Sequence, residues 1–315
     1  MEARRDRKRS VRVGLKFRRT LDELRQTAPL VGAFLLRGNM NYYKAPLPFT
    51  GQKRFFLKAF SQRLNEMIKD DGEGVTIIDV FGGSGLLSHY AKRLKPKARV
   101  IYNDLQGYSQ NIKNIDRINA MRIEIYEILK DVPSKSRLSD TMREQIIPIL
   151  DKYKDVDPTF AKVFLLFSSS YQGVESTLDA VKKETWYQRC PSVDYKADGY
   201  LDGLEICSLD FRDCINQYKD IPNKLLILDP PYLFSQQKNY IATFNLADFL
   251  ELLELTAPPF IFFSHEASDC LPVMNYLADK GDSRFQGLTV FRLATTMSSK
   301  RKYVDLMISK GSVNV

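Results

Sequence analysis

The residues with the clearest chemistry in this 315-residue chain are Asp229-Pro-Pro-Tyr232. They follow Leu225-Leu-Ile-Leu228, four aliphatic side chains in a row that read as a strand buried on both faces. Pro230 and Pro231 fix φ and donate no backbone N–H, so the strand stops at the carboxylate. One strand end therefore carries an acceptor carboxylate on Asp229, a free carbonyl on Pro230 and an aromatic ring on Tyr232. Ligands of open α/β sheets bind at that edge, and this set suits a planar, amine-bearing substrate such as a nucleobase.

A second constellation lies upstream. Gly74-Val-Thr-Ile-Ile-Asp-Val-Phe-Gly-Gly-Ser-Gly85 joins a β-branched run ending at Asp79 to a glycine-rich turn, and Leu86-Leu-Ser-His-Tyr-Ala-Lys-Arg93 then reads as a helix. Gly82, Gly83 and Gly85 let the backbone turn sharply and approach a ligand closely. The spacing is not the GxGxxG of dinucleotide binders, so no diphosphate is implied. The next strand, Arg99-Val-Ile-Tyr-Asn-Asp104, puts an acid about 20 residues after the turn, where nucleotide-type folds bond ribose hydroxyls. Glycine turn and strand-end acid together favour a ribose-bearing cofactor. A third acid, Asp210, ends a short strand beside Phe211. The pair can accept an adenine amine and stack on its ring, and Asp210 can equally N-cap the helix that follows, roles that are compatible. Lys53 opens an apolar-periodic helix (Phe55, Phe56, Ala59, Phe60, Leu64, Met67), the wrong end of a helix dipole for a cation unless it faces an anionic ligand.

These groups need a frame. Strands are expected at 75–79, 99–103, 203–209, 225–228, 259–265, 287–294 and 303–309, which makes an α/β fold. Between 105 and 198 the strand pattern stops and helical segments run over 112–130, 136–154 and 158–167. A polar, aromatic stretch follows, with Ser168-Ser-Ser-Tyr-Gln-Gly173, Lys182, Lys183, Trp186, Tyr187 and Arg189. A mainly helical insertion in an α/β frame is the economical reading, and its side chains suit base-edge and phosphate contacts. Residues 296–302 link the last two strands and offer a further phosphate contact or a solvated hairpin. Residues 1–19 carry nine Lys and Arg against Glu2 and Asp6, a density of like charge that resists packing. A helix can start at Thr20, with Glu23 completing a capping box.

Composition narrows the class. With 44% hydrophobic and 27% charged residues the chain is an ordinary globular protein, and no apolar run approaches a membrane span. Cys190, Cys207, Cys214 and Cys270 form no CxxC pair and only His89 and His265 are present, so neither a disulfide framework nor a metal site is expected. A net charge of +9 favours a polyanion partner. The sum is a soluble, cytoplasmic protein.

Taken in order, Pro48-Phe-Thr-Gly-Gln-Lys53, Asp79-Val-Phe-Gly-Gly-Ser-Gly85, Asn103-Asp104, Asp210-Phe211, Asp229-Pro-Pro-Tyr232 and Lys300-Arg-Lys-Tyr-Val-Asp305 resemble the Dam-type family of S-adenosylmethionine-dependent DNA adenine-N6 methyltransferases. The resemblance runs from about residue 42 to 310. Phe49 stands where that family often has tryptophan and Gln52 where it often has a second glycine, and the insertion matches no family contact. The resemblance implies a Rossmann-like methyltransferase mixed sheet with helices on both faces and a helical target-recognition insertion. Its expected division is a basic arm and helix at 1–40, catalytic parts at 41–105 and 201–315, and the insertion at 106–200.

It implies roles as well. Phe49 and Lys53 would contact the methionyl end of S-adenosylmethionine, and the turn with Asp79, Phe81, Gly83 and Gly85 would cradle it. Asp104 would take the ribose hydroxyls, and Asp210 with Phe211 would border the cofactor adenine. Asp229, also at the cofactor, and the Pro230 carbonyl would accept the hydrogens of an adenine flipped out of double-stranded DNA, with Pro231 stiffening the turn and Tyr232 stacking on the base. No metal or membrane enters, and nucleoid association would follow from DNA binding. Two other readings share the frame: an RNA base-amine methyltransferase, and a non-catalytic nucleic-acid-binding protein on the same scaffold. A nicotinamide-dependent oxidoreductase is disfavoured by the glycine pattern.

Overall fold

Strands that are apolar on both faces need helices above and below them, and the chain supplies these between successive strands. The computed structural model describes residues 42–49, 51–156, 177–233, 244–298 and 301–313. Among the described residues seven strands form one sheet: β1 (Thr76–Asp79), β2 (Arg99–Asn103), β3 (Leu204–Cys207), β4 (Lys224–Leu228), β5 (Phe260–His265), β6 (Thr289–Ser298) and β7 (Arg301–Lys310). Their order is β3-β2-β1-β4-β5-β7-β6. The first five are parallel, and β7 runs antiparallel between β5 and β6. This mixed α/β sheet, with helices on both faces, is Rossmann-like.

The strict period of two sorts side chains to opposite faces. Ile78, Ile101, Leu226, Leu228, Phe260 and Phe262 face one way. They bury against α7 (Phe211–Gln217), α8 (Leu246–Leu255) and α9 (Cys270–Asp279), numbered in chain order. On the other face Phe60 of α1 (Leu57–Met67), and Phe56 just before it, meet Phe263. α2 (Leu86–Leu94) also covers the sheet, following β1 through the glycine turn.

Between β2 and β3 lie α3 (Tyr108–Lys113), α4 (Ile115–Leu129), α5 (Asp140–Lys152) and α6 (Leu178–Lys183). They build a core of their own: Ile118, Met121, Ile125, Leu129, Ile146, Leu150 and Trp186 are all buried. Trp186, a candidate base contact by composition, is committed to that core: its Nε1 donates to the Val181 carbonyl at 2.9 Å and the Arg143 guanidinium covers its ring. Lys182 is likewise engaged, paired with Asp151. The expected features at residues 1–40, 158–167 and 168–173 lie outside the described residues. No described helix is long and apolar enough to cross a membrane.

Candidate active site

The strand order reverses between β1 and β4: the chain builds outward from β1 through β2 to β3, then returns to add β4 and β5 on the other side. Such a switch point leaves a crevice at the carboxyl ends of the strands. Asp79 ends β1 and Asp229 follows β4, so both acids stand at that crevice on neighbouring strands.

The glycine turn fills the gap between β1 and α2. A Cβ at Gly82 would sit 2.3 Å from the Tyr102 ring, so only glycine fits there. Gly85 adopts φ +72° at the helix start, a conformation that costs glycine little. Asn103, the last residue of β2, fastens the neighbouring loops. Its Nδ2 donates to the Val80 and Leu209 carbonyls at 2.9 Å, and its Oδ1 accepts from Leu209 N–H at 2.8 Å.

Over these ends opens a cleft lined among others by Phe49, Gly83, Asn103, Asp210, Phe211, Asp229, Pro231 and Phe244. Phe81 stacks on Phe211 at 5.6 Å, and Phe244 stands near both rings at 5.9 Å, an apolar wall for a flat heterocycle. Phe49 sits edge-on to Tyr108 at 5.5 Å and close over Gly83, where an added Cβ would meet its ring at 3.1 Å. Asp210 caps α7 by accepting Arg212 N–H at 2.9 Å while still lining the cleft, so both sequence readings of it are geometrically compatible. Arg212 lies over the Phe211 ring and pairs with Asp210, Asp248 and Glu251, fixing α7 against α8.

At the other end of the cleft Asp229 is recessed, its side chain 16% exposed. Lys53 Nζ approaches Asp229 Oδ2 at 2.6 Å, and among the described residues Asp229 Oδ1 has no hydrogen-bond partner. Burial raises the Asp229 pKa and the Lys53 cation opposes the rise. Lys53 also donates to the Gly51 carbonyl at 2.9 Å and lies over the Tyr232 ring, 5.3 Å from its centroid. Pro230 is buried, Pro231 lines the cleft and Tyr232 faces His265 at 6.4 Å. Fully buried Asp79 accepts from Ser88 Oγ at 2.6 Å through one oxygen, and its other oxygen has no partner among the described residues. Burial pushes it up to about 7, with Asp229 adding to the rise.

Two expectations are corrected. Lys53 does not open a helix: α1 starts at Leu57, and the lysine sits on the preceding turn, where the anion it meets is Asp229. Asp104 does not face the cleft. Its Oδ1 accepts Tyr108 N–H at 2.9 Å and its Oδ2 accepts Ser109 N–H at 2.7 Å, so the carboxylate serves the start of α3. With 2% exposure it is closed to a ribose, and Asn103, Leu105 and Gln106 line the cleft instead.

Phe244 lines the cleft and belongs to no motif, and Asn103 stands inside the Asn103-Asp104 motif without a role, although a polar side chain ending an apolar strand is a visible signal. Asp305 of β7, the last residue of the motif that starts at Lys300, also has no role assigned by the sequence. It pairs in register with His265, burial raises its pKa and Lys53 lowers it, so it shares the lysine's field with Asp229.

The chain is similar to a protein of Haemophilus influenzae (strain ATCC 51907 / DSM 11121 / KW20 / Rd) described as "Putative methyltransferase". The two are 41% identical over 277 residues, covering 85% of this chain and 93% of that protein. No family model matches. Among solved structures, one described as a putative rRNA-methylase from Clostridium thermocellum gives a TM-score of 0.32 at 13% identity, covering 82% of this chain and 97% of that one. Precorrin-6y C5,15-methyltransferase from Geobacter metallireducens GS-15 gives 0.32 at 9% identity, covering 84% and 94%. At that similarity it is the strand order that defines the fold.

Proposed function

The chain belongs to the methyltransferase family of its Haemophilus influenzae relative, and from that premise we propose that it methylates the exocyclic N6 amine of adenine in double-stranded DNA. S-adenosylmethionine is the methyl donor and supplies a sulfonium methyl open to direct displacement. The cleft suits it: an aromatic wall at one end, and at the other a buried carboxylate oxygen that has no partner among the described residues. Phe211 and Asp210 would border its adenine, Phe81 and Gly83 of the turn its middle, and Phe49 and Lys53 its methionyl end. Asp79, fully buried, and Gly85, packed against the Tyr102 ring, would shape the turn from behind. The ribose role does not pass to Asp104.

The observation that carries the reading is the state of Asp229. One oxygen meets Lys53 and the other has no partner among the described residues, at a strand end where two prolines offer no N–H to either. An adenine amine is a poor nucleophile because its lone pair is shared with the ring. Asp229 Oδ1 and the Pro230 carbonyl accept its two hydrogens and draw the nitrogen toward tetrahedral geometry, which localises the lone pair for attack. The methylated nitrogen becomes cationic, and the Asp229 carboxylate, raised by burial, takes its surplus proton. No covalent nucleophile is needed, since positioning and charge stabilisation carry the acceleration. Tyr232 offers its ring to the flipped base, and such stacking contributes about 1–3 kcal/mol toward the few that flipping costs. The net charge of +9 supports a phosphate-bearing partner.

The test is transfer of labelled methyl from S-adenosylmethionine to duplex DNA and, in parallel, to RNA of the same sequence, with the product nucleoside identified by mass. N6-methyladenine in duplex DNA is the expected product. Label confined to RNA, or placed on cytosine, would overturn the substrate assignment.

A further inference from the structure

Two phenols hold the glycine turn from behind, and they come from different parts of the chain. Tyr102 of β2 donates to the Gly83 carbonyl at 2.7 Å, and Tyr200 donates to the Ser84 carbonyl beside it at 2.9 Å. Both rings are fully buried. Glycines impose little order of their own on a turn, so hydroxyls fixed on adjacent carbonyls supply the restraint that side chains would give elsewhere.

Tyr200 stands just before β3, on the stretch that returns from the helices between β2 and β3. Its ring stacks on His89 of α2 at 4.9 Å and 16°, with Tyr42 edge-on at 5.0 Å. Its own carbonyl accepts from His89 Nδ1 at 2.8 Å, which makes Nδ1 the protonated nitrogen, and burial takes the imidazole down to about 4. Tyr42 donates to the Asp198 carbonyl at 3.1 Å, and Arg93 donates to the Gly199 carbonyl. A few residues upstream, Asn119 of α4 grips both backbone groups of Tyr195 at 2.9 Å. Residues 195–200 are thus a strap anchored to a helix of the insertion at one end and to the glycine turn at the other.

We propose that Tyr200 is a positioning residue for cofactor binding, through which the strap sets the conformation of the glycine turn at the Ser84 carbonyl. This rests on assigning that turn to S-adenosylmethionine. The ring packing would survive Tyr200→Phe, so only the bond to Ser84 is removed.

The test titrates the full-length protein with S-adenosylhomocysteine, an unreactive probe of the same site, and follows steady-state transfer. Tyr200→Phe is expected to weaken binding about two- to tenfold, the span of one neutral hydrogen bond, and to raise KM for S-adenosylmethionine by the same factor. The kcat at saturating cofactor and KM for DNA stay unchanged. A lowered melting temperature with unchanged probe affinity, or a loss in kcat alone, would show that Tyr200 serves packing only. Gly83→Val separates the two assignments. If it leaves probe affinity intact, the turn is not the cofactor's and the proposal falls with that reading. If it abolishes affinity while Tyr200→Phe does nothing, only the role of Tyr200 falls.

Discussion

The carboxyl ends of β2 and β4 carry the same signal, an apolar strand closed by an acid, and they do opposite things with it. Asp104 turns inward and both its oxygens accept amides of α3. Asp229 meets Lys53 with one oxygen, and its other oxygen has no partner among the described residues. The difference lies in the residues downstream. After Asp104 comes Leu-Gln-Gly-Tyr, whose Gly107 at φ +71° lets the chain fold back and present the Tyr108 and Ser109 amides to the carboxylate. After Asp229 come two prolines, which have no amide to present. A strand-end acid is a cap or a reactive group according to whether its successors in the chain can satisfy it.

That contrast can be broken experimentally. The largest expected effect is Asp229→Ala, which should lower the rate of methyl transfer by about a hundred- to a thousandfold or more, the scale of a lost preorganised polar contact, while S-adenosylhomocysteine still binds. Near-normal turnover in a labelled-methyl assay would end the role given to Asp229. Asp104→Ala should act on folding instead. It removes two hydrogen bonds to a charged acceptor, each worth about 1.5–3 kcal/mol, so denaturant melts should move by several kcal/mol while kcat of the folded fraction is kept. A folded, fully stable variant without activity would put Asp104 back at the reaction.

Lys53→Ala gives the smallest and most diagnostic change. Transfer needs Asp229 ionised, so activity is lost as pH falls through its pKa, which burial raises and Lys53 holds down. Removing the cation should move the acidic limb of the kcat profile to higher pH at saturating cofactor. An unmoved limb would show that Lys53 does not govern Asp229.

Much of this architecture is legible in the sequence, for reasons that are local. Leu225-Leu-Ile-Leu228 before two prolines fixes the place of β4, and the β-branched run before Gly82 and Gly83 fixes β1 and its turn. The inward turn of Asp104 is not legible, because spacing locates a residue along the chain but does not say which way its carboxylate points. The helix start is misplaced at Lys53 because Phe55 and Phe56 share the helix's apolar period, although the helix begins only at Leu57. The lysine's true partner, Asp229, lies far along the chain and has no local signature. Trp186 and Lys182 show the same limit from the other side: composition cannot tell a core tryptophan or a paired lysine from a nucleic-acid contact.

The Asn103 amide has one more consequence. It is the common tie of two loops, bonding Val80 beyond β1 and Leu209 beyond β3 from its own place at the end of β2. The spacing of the cleft walls on that side is therefore gauged by a single side-chain length. Lengthening it to glutamine would respace both loops together, and aspartate would turn a donor into a third acceptor facing two carbonyls. The width of the cleft on that side answers to the reach of one amide.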